Sequence, residues 1–183
     1  MDIVTRSQLN NIRSKERDVQ NQAHNFLLEA TDETVEWAYE AWDELVDSLS
    51  QKDNKVRAIA AQLLANLARS DPAGRILDEF EALLNVTRDK RFVTARHCMQ
   101  SIWKVGLAGP AQQALVVAGL EQRFHESATE KNSTLIRYDI LQSLRRLYDH
   151  IRDAAIREKA LALIETEDNF KYQKKYAGLW KSM

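Results

Sequence analysis

The sequence predicts an all-α fold, a solenoid of antiparallel helix pairs. Three observations carry that reading. Five Gly and two Pro in 183 residues are too few for a turn-rich β-sandwich or barrel, while the good helix formers Ala, Leu, Glu, Gln, Lys and Arg fill every window. Apolar residues recur at i, i+4, i+8 and i+11, the stripe of a helix with one buried face. That stripe is written several times at near-constant spacing, the mark of a repeat architecture.

The elements follow in order. Residues 1–14 read as an N-terminal cap or extension, since Leu9 and Ile12 prolong backwards the first stripe of Val19, Ala23, Phe26, Leu27 and Ala30. After the breaker at Thr31-Asp32, a second amphipathic segment is predicted over Thr31 to Ser50, with Val35, Ala38, Trp42, Leu45 and Leu49 inward. The second copy begins at Lys52 and puts Val56, Ala60, Leu64 and Leu67 on its stripe. The third is degenerate, keeping Ala95, Met99 and Ile102 but placing Arg91 where an aliphatic residue is expected. The fourth reads Ile136, Ile140, Leu144 and Leu147, and a final half copy reads Tyr172, Tyr176, Trp180 and Met183.

First stripe positions lie 37 residues apart from Val19 to Val56, 80 across two copies to Ile136, and 36 to Tyr172. The unit is therefore about 36 to 45 residues, the length of a helix pair. Pro72 and Pro110 suit the first turn of the second helices. The boundaries are repeats at about 15–51, 52–88, 89–129 and 130–166, and a half repeat at 167–183, all in one domain. At this length about 70% of the unfolded surface can be buried in a single unit.

The string Asp53-x-x-Val56-Arg57-x-x-Ala60-x-x-x-Leu64-x-x-Leu67, echoed by Ile136-Arg137, resembles the first helix of a HEAT repeat. The resemblance covers residues 15–183 and implies a right-handed α-solenoid of about four and a half repeats, with second helices lining the concave surface. It speaks to architecture, because such arrays serve many functions. Gln20 and Gln173 stand where Arg57 and Arg137 do, a departure in the polar ladder between repeats.

The most one-sided segment is Thr31 to Ser50, with seven acids (Asp32, Glu33, Glu36, Glu40, Asp43, Glu44, Asp47) and no Lys or Arg. Glu36, Glu40, Asp43 and Asp47 fall on one face, opposite the apolar stripe. Like charges at that spacing repel by a few tenths of a kcal/mol each (about 0.2–0.5), so the segment reads either as an acidic groove for a basic ligand or as a plain solvated helix face. Asp78 and Glu81 continue the sign in the next second helix. The expected function is an adaptor or scaffold that binds a protein or peptide, expected to be basic, through Glu36, Trp37, Glu40, Asp43, Asp47, Asp78 and Glu81. Trp37, one residue off the apolar stripe, is the aromatic contact.

Basic residues collect at the starts of the first helices (Lys52, Lys55, Arg57; Arg88, Lys90, Arg91; Lys131, Arg137; Lys171, Lys174, Lys175). They read either as a phosphate-tracking ridge or as charge partners between neighbouring repeats. With 26 basic and 27 acidic residues the net charge is -1, which favours the second reading.

The alternative function is that of the HEAT-like alkylation-repair DNA glycosylases. Trp42-Asp43-Glu44-Leu45-Val46-Asp47 is similar to a Trp-Asp-x-Val-Asp segment of that group with one residue too many, which turns Asp47 by about 100° on a helix. Otherwise no catalytic pattern is written. His24, His97, His125 and His150 form no metal-binding pair, Cys98 is the single cysteine, and there is no Gly-rich phosphate loop, so no metal or cofactor is expected. No apolar run suits a signal or a membrane span, so the chain is read as cytoplasmic and without a membrane partner. It is expected to be monomeric, or to self-associate weakly if the C-terminal aromatic stripe is exposed.

Overall fold

A computed structural model describes residues 1–181, so Met183 of the final stripe lies outside the described residues. These fold into ten α-helices and no strand: α1 (Ile3–Asn11), α2 (Arg17–Ala30), α3 (Ala38–Ser48), α4 (Asn54–Leu67), α5 (Ile76–Asn85), α6 (Phe92–Ser101), α7 (Pro110–Glu126), α8 (Ser133–Ile151), α9 (Ala154–Glu165) and α10 (Phe170–Gly178). The fold is all-α. Helices α2, α4, α6, α8 and α10 pack side by side in one layer, and α3, α5, α7 and α9 form a second layer against it. Helix α1 packs on α2.

The apolar stripes explain the layers. Val56, Ala60, Leu64 and Leu67 of α4 are all buried, as are Ala95, Met99 and Ile102 around α6 and Ile136, Ile140, Leu144 and Leu147 of α8. Between the layers Trp42, Leu45, Phe80, Leu83, Leu120 and Phe124 fill the core from the other side. Helix α7 comes close to α5 because Gly119 has no side chain: a Cβ there would lie 2.9 Å from Phe80 Cε1.

Capping side chains set four of the ten helix starts, Asp2 opening α1. Asp53 and Asp153 accept from the amides of Lys55 and Ala155, at 2.8 and 2.9 Å, and Asn169 accepts from Lys171. Pro110 opens α7 as expected. Within the first layer, ion pairs tie α4, α6 and α8 each to the next helix or the turn before it: Arg57 to Asp89 at 2.6 Å, Arg96 to Asp139 at 2.6 Å and Arg137 to Glu167 at 2.7 Å. At the N-terminal end Gln20 takes a different role, donating to the carbonyl of Ile12 at 2.7 Å from a buried position.

Three local expectations are corrected. The helix predicted over Thr31 to Ser50 begins only at Ala38, because Thr31 folds its hydroxyl back onto Leu27 O and ends α2, and Val35 N is held by Ser70 Oγ at 2.9 Å. Pro72 precedes α5 by four residues instead of sitting in its first turn; the intervening turn uses the left-handed Gly74 (φ 71), and the buried Asp71 accepts from Ile76 N. Phe26 leaves its stripe, being 37% exposed, while Gln20 and Thr31 are buried in place of Val19 and Ala30.

Candidate partner-binding site

The acidic residues singled out from the sequence separate into two sets. Those of the first set are answered within the chain. Glu40 lies 2.5 Å from the amino nitrogen of Met1, Asp43 pairs with Arg75, and Glu44 takes both Arg6 of α1 and Arg13 of the turn after it. Asp32 meets Lys104 of the turn after α6 at 3.1 Å. The missing compensation inside α3 therefore comes from α1, from the turn after it and from the turn before α5. Arg75 also stands over the rings of Tyr39 and Trp42 at 5.6 and 5.7 Å, and its hydrogen bond to Asp43 holds its pKa up.

In the second set, Glu36, Asp47 and Asp78 are exposed and have no ion-pair partner among the described residues. Glu81 is exposed and stands 3.7 Å from Arg88. Glu36 lies in the turn before α3, off the helix face that was to carry it. Trp37 is the residue before α3; it is half-buried and packs against the core, so only part of its ring faces solvent.

Asp47 stands at a cleft between α3 and α5 of about 430 Å³. Val46, Leu49, Ala82 and Val86 give it apolar walls, and Asp47, Ser50 and Asn85 give it polar ones. Such a cleft suits a long basic side chain, whose methylene stem packs on apolar surface while its charged end stays with a carboxylate.

The basic edge is largely spoken for where Arg is used. Arg57 and Arg137 are ladder residues, and Arg88 pairs with Glu126 at 2.8 Å. Lys175 lies 4.8 Å from the Tyr138 ring centre and Lys55 donates to Asn21 Oδ1 at 2.6 Å. Cys98 is buried in the core, where burial pushes its thiol pKa up. Trp42 is wholly buried, and Asp47 is exposed on α3. No helix among the described residues is long and apolar enough to cross a membrane.

A feature that sequence reasoning missed lies on the other layer. Two clefts, of about 660 and 500 Å³, open on the surface of α2, α4 and α6 and share His97. The smaller reaches α8 through Arg146. Clefts spanning three successive first helices, with Asp32 reaching Lys104 across α4, make this layer the hollow side. The acidic residues of α3 and α5 lie on the other layer. A signal was present in the sequence. Glu29, Asn66, Ser101 and Arg146 each stand ten residues after the first stripe position of their repeat, and all four line one cleft.

A scan against protein-family models finds no match, and a search of curated proteins finds none either. Among solved structures, the crystal structure of an engineered protein from the Northeast Structural Genomics Consortium is similar over 98% of this chain and 95% of that chain, with 16% identity and a TM-score of 0.52. The likeness is one of fold. At that identity it says nothing of a ligand.

Proposed function

We propose that this chain is a helical-repeat adaptor: a right-handed, HEAT-like α-solenoid of about four and a half repeats that binds a basic protein or peptide through the acidic surface of its second helices. On this reading the pairs α2/α3, α4/α5, α6/α7 and α8/α9 are the repeats and α10 is the half repeat. The observation that carries the proposal is the cleft between α3 and α5, with its apolar walls and Asp47. Asp78 and Glu36 extend the unneutralised surface on either side, and Trp37 adds a partly exposed ring. Glu40 and Asp43 contribute field, but their geometry serves Met1 and Arg75 first.

Charge reversal at Asp47 and Asp78 tests the reading without breaking an ion pair of the fold. A fluorescein-labelled peptide of alternating Lys and Leu should bind the unaltered chain, more weakly at about 0.3 M salt than at about 0.05 M. Asp47→Lys with Asp78→Lys should lower that affinity by about tenfold or more. Equal binding by the two proteins, or none by either, would remove the α3/α5 surface as the site.

A further inference from the structure

We propose that the hollow formed by α2, α4 and α6 is a second binding site, distinct from the acidic surface, that takes an extended peptide with acidic residues at one end. The charge of the larger cleft gives the first reason. Lys15, Arg17 and Lys55 line it against one carboxylate, Asp53, which is already engaged as the N-cap of α4. Lys15 and Arg17 have no ion-pair partner among the described residues, so two cations face this cleft unneutralised. Across His97, in the smaller cleft, Arg146 is balanced by Glu29, and Lys104 is paired with Asp32. The site is thus polar along its length, with its demand for carboxylates concentrated at the α2 start.

The hydrogen-bonding groups between those ends decide the class of ligand. Gln62 spends an amide N–H on Ala58 O at 3.0 Å, Asn66 on Thr31 Oγ1 at 3.0 Å and on Leu28 O, and Gln100 on the Asp139 carboxylate at 3.1 Å. Ala58 O, Leu28 O and the Asp139 carboxylate can only accept, which fixes each amide's orientation: Asn66 keeps its carbonyl oxygen for the cleft, and Gln62 and Gln100 keep a carbonyl oxygen and one N–H each. Those carbonyl oxygens find no partner on a phosphodiester backbone, which has acceptors alone. A polypeptide donates an N–H at nearly every residue.

Spacing agrees. Gln62 and Asn66 are one turn apart on α4, about 6 Å, while N–H groups on one side of an extended strand recur every two residues, about 6.6 Å. The 14 residues of α4 give a floor of about 21 Å, room for about six extended residues.

Fluorescence anisotropy with three labelled probes of eight units tests the proposal: alternating Glu-Ala peptide, alternating Lys-Ala peptide and single-stranded oligo-dT. The Glu-Ala peptide is expected to bind. Lys15→Glu with Arg17→Glu, both on exposed side chains, should weaken it by about tenfold or more, while Asp47→Lys leaves it unchanged. Methylating the backbone nitrogens of its two central residues should weaken it by about fivefold or more, a loss charge alone does not produce. Failure of the Glu-Ala peptide to bind, indifference to the Lys15 and Arg17 reversals or to N-methylation, or tighter binding of oligo-dT that depends on Lys15 and Arg17 would each overturn the assignment.

Discussion

His24 shows how one residue's surroundings set a property that its identity does not. It sits on α2, half-buried, with Nε2 enclosed and without a hydrogen-bond partner, and with Lys55 of α4 and His97 of α6 close enough to oppose its charge. Burial, then His97 and Lys55, lower its pKa from 6.5 to about 4. The unfolded chain takes up a proton here as pH falls through 6.5, and the folded chain resists until about 4, so stability declines across that window and levels off below it. His24→Leu should leave the melting temperature at pH 7.5 nearly unchanged and make its fall between pH 6.5 and 4 shallower. A ring titration midpoint near 6.5 by NMR in the unaltered protein would contradict this account.

Between elements, the ion pairs differ in kind although their chemistry is the same. Arg57 and Asp89 have side chains only 11% and 6% exposed and join α4 to the turn before α6, whereas Asp43 is 80% exposed where it meets Arg75. Removing one partner of an enclosed pair strands the other charge, which costs about 3–5 kcal/mol, while an exposed pair contributes under about 1 kcal/mol. Asp89→Ala should therefore lower the urea midpoint far more than Asp43→Ala. Comparable losses would mean that the Arg57 pair is not the tie between successive repeats. Acids concentrated on α3 do not unfold it, because Arg6 of α1 and Arg13 just after it both pair with Glu44.

For the whole molecule, the two ends decide whether the array stays closed. Helix α10 lacks a pair, yet its aromatic stripe is not exposed. Tyr176 and Trp180 are 0% and 5% exposed, Tyr176 donates to Thr134 O at 3.0 Å, and Arg145 lies 5.7 Å over the Trp180 ring and donates to Leu179 O. The surface expected to drive weak self-association when exposed is covered by α8 and α9. Tyr176→Ala with Trp180→Ala would loosen α10 and uncover the apolar faces of α8 and α9 beneath these rings, at a cost of about 3–5 kcal/mol per aromatic truncated. Light scattering should then report a larger mean mass than for the unaltered chain, and an unchanged mass would show that α10 is not a cap. Phe170, 76% exposed at the start of α10, leaves one apolar group outside that closure.

Helical period and the inward stripes were legible by themselves, because burying one face every 3.6 residues leaves a mark on local sequence whatever the partner surface. Pro110 marked the start of α7 for the same local reason. The delayed start of α3 was not legible: it depends on Ser70, 35 residues away, and on the Thr31 hydroxyl choosing Leu27 O. Nor was the separation of the acids into answered and unanswered sets, since Arg6, Arg13 and Arg75 reach α3 only once the layers pack. The hollow is a tertiary fact in the strictest sense. Glu29, Asn66, Ser101 and Arg146 are strangers along the chain, and only the stacking of first helices, at one register and with their faces turned toward each other, makes them the wall of a single cleft.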